Sequence, residues 1–331
     1  MVVHPGDRVL AAGGLAPVVP RTFPPAPLSE PDRRTAVSVL SLDFVLDVIA
    51  VAPGEQHLLD TLLCSAITLA NIAPVFRDAE VRAAYVLNEA LLDDSRRRPM
   101  SVNALATSLG LPYETVRRRV AALVAREVLV MVEGGVVMPA ATIGRPDHVR
   151  AGLQTYERCR RLYGELKAID GLPALPRSAR LSPGARPMWT VTRLVGDYSL
   201  RFIELAMREL GELQDSLLFL GIVRQNVEHL GLADLRGDDG APLPDRLRRP
   251  VSAAALARRL GLPTETVRRH LVRLAEEGLC RSLGRRGVIV PAEVIALPAA
   301  QTVMDENVRN LHRLFTALGH LGVLKLWDDA G

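Results

Sequence analysis

The phrase GLPYETVRRRV occupies residues 110–120 and returns as GLPTETVRRHL at 261–271. An ungapped comparison of 99–129 with 250–280, an offset of 151, gives 15 identities in 31 positions. Past the next glycines the offset becomes 152, where Pro139 meets Pro291, and it holds as far as RLYGEL (161–166) and RLFTAL (313–318). The repeat therefore covers at least 99–172 and 250–324. A period this long marks a duplicated domain and not a solenoid, whose repeats run about 20–50 residues. Two such copies can pair about a pseudo-two-fold axis. Upstream the register is open: LLCSAITLANI (62–72) resembles LLFLGIVRQNV (217–227), but 81–91 competes for the same partner. GLADLRGDDGAPLPDR (231–246) reads as a loop inserted in the second copy only.

Within each copy the order is helix, short helix, sharp turn, helix, then two short strands around glycines. In the second copy SAAALARRL (252–260) is the short helix, with Ser252 as N-cap and Ala255, Leu256 and Leu260 inside. Gly261 suits a left-handed helix end, Leu262 enters the core, and Pro263 sets the start of the next helix. That helix runs over 264–277, and over 113–126 in the first copy. Val267, Leu271 and Leu274 form its buried stripe, which leaves Thr264, Glu265, Arg268, Arg269 and Val272 on the other side. LCRSLGRRGVIVP (279–291) is a two-stranded ribbon with Arg285 and Arg286 at its tip, whereas VMVEGGVVM (130–138) carries Glu133 and no base.

The rest of the chain frames this repeat. Its 331 residues are 48% hydrophobic but only 4% aromatic, which favours helical layers with aliphatic cores. The net charge of +4 permits a nucleic-acid partner without requiring one. Seven prolines in residues 1–35 suggest a disordered tail. Residues 36–170 form the first domain, the proline-rich 171–190 a linker, and 191–331 the second domain. Helical periodicity covers 42–76, 78–92, 148–169, 198–229 and 303–322. Apart from 78–92, these helices are apolar on more than a narrow stripe. They are expected to pack the two copies together, with a homodimer interface as the second reading. The fold class is thus mainly α with small β-wings.

The pattern SxxALAxxLGLPxETVRR, with LxxLAEEGL after it in the second copy, resembles the winged helix-turn-helix of bacterial regulators of the IclR, MarR and GntR kinds. The resemblance covers about 45 residues of each copy. It implies that the helix after the turn enters the major groove of double-stranded DNA and that the wing flanks it. The residues carried over are Tyr113, Glu114, Arg117 and Arg118 in the first copy and Thr264, Glu265, Arg268 and Arg269 in the second. Arginine can donate twice to guanine, and Glu114 and Glu265 can accept from cytosine. Thr115 and Thr266 would cap the helix or contact phosphate, and Arg285 and Arg286 would hold phosphate from the wing. Arg97, Arg98, Arg248 and Arg249 fit a solvated face or phosphate contact. The differences Tyr113 against Thr264 and Arg119 against His270 point to two non-identical half-sites.

Catalytic signatures are absent: no Walker A loop, HExxH, GxSxG or dinucleotide fingerprint occurs. No metal spacing joins the histidines, and Cys64, Cys159 and Cys280 read as small buried hydrophobes in a reducing compartment. No enzyme activity, cofactor, small-molecule effector or membrane segment is expected. The expectation is a cytoplasmic, nucleoid-associated regulator of transcription. The alternatives are a tandem winged-helix replication initiator and a protein-binding winged-helix module.

Overall fold

A computed structural model describes residues 21–23, 27–51, 58–75, 92–178, 181, 185, 187–235 and 241–330. The architecture is mainly α. In the first half α1 (Glu30–Ala50) and α2 (Leu58–Ile72) precede α3 (Val102–Ser108) and α4 (Tyr113–Ala125). A hairpin follows, β1 (Val130–Val132) with β2 (Gly135–Val137), then α5 (Ala140–Ile143) and α6 (Pro146–Ala168). The second half runs α7 (Met188–Leu210), α8 (Leu213–Val227), α9 (Ala253–Leu260) and α10 (Thr264–Glu276). Then come β3 (Arg281–Ser282), β4 (Val288–Ile289), α11 (Ala292–Ile295), α12 (Pro298–His320) and α13 (Val323–Asp329). Among the described residues no helix is long and apolar enough to cross a membrane.

Local chemistry explains the repeated unit. Ser101 and Ser252 cap α3 and α9 by accepting from the amides of Ala104 and Ala255 at 3.1 and 3.2 Å. Gly110 and Gly261 then take φ of 59° and 63°, the left-handed turn that ends each short helix. Gly135 and Gly287 have a different reason to be glycine. A Cβ on either would lie 2.3 Å from the carbonyl oxygen of Met100 or Val251, which bridge to β2 and β4.

A buried asparagine holds each unit to the helix behind it. The carboxamide of Asn71 donates to the carbonyls of Arg98 (2.8 Å) and Val136 (3.2 Å) and accepts from the amide of Met138 (2.9 Å). Asn226 does the same with Arg249 (2.7 Å), Val288 (3.3 Å) and Val290 (2.9 Å). These matched bonds fix the open register: 62–72 is the counterpart of 217–227. They also overturn the expected insertion in the second copy. From Asn71 to Leu92 the step is 21 residues, and from Asn226 to Leu243 it is 17, where Leu92 and Leu243 each accept from Arg97 or Arg248. The longer connection belongs to the first copy.

The halves interlock. The long helices α1, α6, α7 and α12 pack together, α7 against both α6 and α12, and α1 against both α6 and α12. Each half's first helix also lies on the other half's second, α1 on α8 and α7 on α2. Tyr198 on α7 donates to Asn307 on α12 at 2.9 Å, and Asn307 donates to Ser41 on α1 at 2.7 Å. A buried ion cluster adds to the join: Arg21 with Asp43 (2.8 Å), Arg224 with Asp43 (3.2 Å) and Asp47 (2.6 Å), and Arg158 with Asp47 (3.3 Å). The accessory helices thus pack the two copies against each other.

Several sequence expectations change. The tail is ordered from within: α1 starts at Glu30, because Ser29 caps it and Pro31 sits where a first turn tolerates proline. Arg21 is buried and donates to the carbonyls of Val227 and Leu230 at 2.9 and 2.7 Å. Residues 1–20 lie outside the described residues, as does almost all of the helix expected over 78–92. The continuous helix expected over 42–76 ends at Ala50, and the one expected over 198–229 breaks at Gly211, with φ of 79°. The linker gives way to α7 at Met188, and Arg177 within it is held by Asp328 (2.9 Å) and Tyr163 (2.8 Å). The three cysteines are buried free thiols, and burial pushes Cys64 up to about 12 and Cys280 up to about 11.

Asn226→Ala removes two donated bonds and one accepted bond from buried backbone. We expect it to lower stability by about 2–4 kcal/mol in urea denaturation, and Asn71→Ala to do likewise. A loss below about 1 kcal/mol for both would show that the carboxamides do not carry the hairpin attachment.

Candidate nucleic-acid interface

In both copies the helix after the turn buries one stripe and presents the opposite face to solvent. Val116, Val120 and Leu123 of α4 are buried, as are Val267, Leu271 and Leu274 of α10. Behind α4 stands α2, and behind α10 stands α8. Glu114, Arg117 and Arg118 are exposed, and so are Glu265, Arg268 and Arg269. Tyr113 is 46% exposed, an unusual position for an aromatic ring, while Thr264 is half-buried.

The exposed arginines fall into two pairs. Arg117 bonds Glu114 at 3.0 Å, and Arg268 bonds Glu265 at 3.0 Å, one turn apart on the same helix. The guanidinium holds the Glu114 carboxyl below its ordinary value. Such surface pairs are worth little in stability and open readily to another partner. Arg118 and Arg269 form no ion pair among the described residues. Their charges stand free on the exposed face of both helices.

Other residues of the motif turn inward. Arg119 reaches Asp60 on α2 at 3.5 Å, and Asp60 is buried. His270, at the matching place, lies 2.6 Å from Asp215 on α8, the counterpart of Asp60. Burial, aided by the Arg269 guanidinium, holds His270 below the usual imidazole value. His270 Nδ1 and Arg273 both bond the buried Asp215 carboxylate, and Arg273 also bonds Glu212. Arg119, half-buried, and His270, buried, thus each face a carboxylate on the helix behind, so the difference between them is turned inward. Arg97 and Arg248 are likewise buried, bonded to Leu92 and Leu243 at 3.1 and 3.0 Å, and are not a solvated face. Arg98 and Arg249 remain exposed. Thr115 and Thr266 make no capping bond: Pro112 and Pro263 precede the helices, and neither helix has a side-chain cap.

The hairpins differ in character. Arg285 and Arg286 form a short helical turn between β3 and β4 and are exposed. Arg281, on β3, is committed to Asp245 and Glu293 at 2.9 and 2.7 Å. In the first copy β1 carries Val130, Met131 and Val132, all between 42% and 51% exposed, followed by exposed Glu133. One hairpin is apolar and acidic, the other basic. Among the described residues no group of His, Cys, Asp and Glu is arranged to hold a metal ion. The cavity at the buried ion cluster, lined in part by Arg21, Asp43 and Arg158, measures about 20 Å³, room for one water molecule and not for a metabolite.

Comparison with models of known families, with curated proteins and with solved structures gives no match to this chain.

His148, His229 and His270 are all held below the ordinary imidazole value, chiefly by burial. The unfolded chain takes up protons at these sites near pH 6.5 while the folded chain resists them. The stability these histidines contribute is therefore full above about pH 6.5 and is lost as pH falls below it. The urea midpoint should be lower at pH 5.5 than at pH 7.5, and His270→Gln should shrink the difference. A midpoint that does not fall over this range would contradict the lowered imidazole values.

Proposed function

We propose that the chain is a sequence-specific, double-stranded-DNA-binding regulator of transcription built from two winged helices in one polypeptide. In this reading α4 and α10 each enter a major groove and the second hairpin holds the flanking phosphates. The observation that carries it is the free arginine at the same exposed place in both copies, Arg118 and Arg269. The fold commits Arg21, Arg97, Arg119, Arg158, Arg224 and Arg248 to internal partners but leaves these two outside. A planar guanidinium on the exposed face of a helix suits bidentate contact with guanine. Arg117 and Arg268 join it by exchanging their glutamates for base or phosphate.

The two copies act unequally. Arg285 and Arg286 attract phosphate, whereas Glu133 repels it, so the second copy binds through helix and hairpin and the first mainly through its helix. In this reading the two interlocked copies act as the two subunits of a dimer would. Each is then suited to one half-site, the sites about 34 Å or one helical turn apart.

The decisive experiment is selection of bound duplexes from a random pool, followed by affinity measurements across salt concentrations. Charge reversal at Arg118 and Arg269 should abolish specific binding. Arg285→Ala with Arg286→Ala should weaken binding more than Glu133→Ala does, and should flatten the salt dependence by about 1 per lost contact. No enriched duplex with the wild-type chain would refute the reading. Bound sites at origin repeats in place of promoters would move the chain to the replication initiators.

A further inference from the structure

The exposed face of each of these helices has an uncharged centre, and the two copies differ there. Successive helical residues advance about 100°, so Thr264, Arg268, Val272, Glu265 and Arg269 project at about 0°, 40°, 80°, 100° and 140°. Val272 sits in the middle of that arc, and the buried stripe of Val267, Leu271 and Leu274 lies on the opposite side. Val272 is 57% exposed, the highest value among the large hydrophobic residues left on the described surface. A β-branched residue at an exposed helical position also works against helix propensity. The duplication supplies an internal control. The matching residue of the first copy is Ala121, also exposed, so the fold does not require a valine there.

We infer that Val272 is a specificity-determining residue that packs against the 5-methyl group of a thymine in the second half-site. This rests on the DNA-binding reading above and adds to it a particular base and a particular atom. In the major groove the thymine methyl is the one apolar feature that separates its edge from the others. The arginines at either side of Val272 would fix the helix over the groove, and the isopropyl group would close over the methyl. Ala121 is two carbons shorter and leaves that position of the first half-site unread. The half-sites then differ by a thymine, and the difference falls on residues that face outward.

The test uses the full chain and the duplex recovered from a random pool. Each thymine of the site is replaced in turn by uracil, which lacks the methyl group and keeps every hydrogen-bonding atom. One replacement in the second half-site should weaken wild-type binding about fourfold, the weight of one buried methyl group. The same replacement should cost Val272→Ala nothing, and Ala121→Val should create a new uracil penalty in the first half-site. If wild type tolerates every uracil, or if Val272→Ala keeps the same penalty, the inference fails while DNA binding stands. If no duplex is recovered at all, both fall together. Because Val272 is exposed, its replacement leaves the core intact, and an unchanged urea midpoint verifies this.

Discussion

The buried carboxamides of Asn71 and Asn226 are the constraint on which each unit depends. A helix and a hairpin have no chemical reason to keep a fixed angle, since apolar contact alone allows sliding. Each asparagine removes that freedom by bonding one carbonyl of the segment before the short helix and a carbonyl and an amide on the hairpin's second strand and its continuation. The bonds are made where water cannot compete, so breaking them leaves unsatisfied groups inside the protein. The asparagine thereby sets where the hairpin stands relative to the helix that follows the turn. Every surface property of the unit inherits that geometry.

A second principle governs the arginines. The fold has many, and it divides them by partner. Some are buried with a carboxylate or a carbonyl: Arg97 and Arg248 beside their hairpins, Arg21, Arg158 and Arg224 between the halves. Charge of that kind holds the interior together, because removing one partner would strand the other. Others stay exposed, among them Arg117, Arg118, Arg268 and Arg269 on the outer face of the helices after the turns. Position in the sequence does not separate the two classes: Arg118 is free and Arg119, its neighbour, faces Asp60. One residue of helical rotation is enough to turn a surface charge into a structural one.

This division explains what could be read from the sequence and what could not. The turn, the cap at Ser252, and the stripe of Val267, Leu271 and Leu274 are local patterns, and they stand in the structure as the spacing implies. The roles of Asn71, Asn226, Arg97 and Arg248 are not local. Asn71 finds its partners 27 to 67 residues away, and no periodicity announces such a meeting. A signal was present in the weak likeness of 62–72 to 217–227, but a competing alignment obscured it. The start of α1 was hidden differently. Its proline counts toward disorder by composition, whereas Ser29, Glu30, Pro31 and Asp32 together form a helix start.

The duplication has also been spent unequally. The first copy's unit belongs to the same apolar core as the four long helices, and its turn at Gly110 lies against Met207 of the other half. The second copy's unit has a separate core built on Leu218, Phe219 and Ile222 of α8, and its turn at Gly261 is open. The first unit therefore shares the body's core, and the second keeps a core of its own, against which Leu58 of α2 and Leu210 of α7 also pack. The basic hairpin is found on the unit with its own core and the apolar, acidic one on the unit that shares the body's core. On the proposed DNA-binding reading, two halves that met one duplex under identical demands would have no reason to diverge in this way. On that reading, a body that holds one helix and presents a second beside a basic hairpin does have that reason, because the two units then meet different demands from their half-sites.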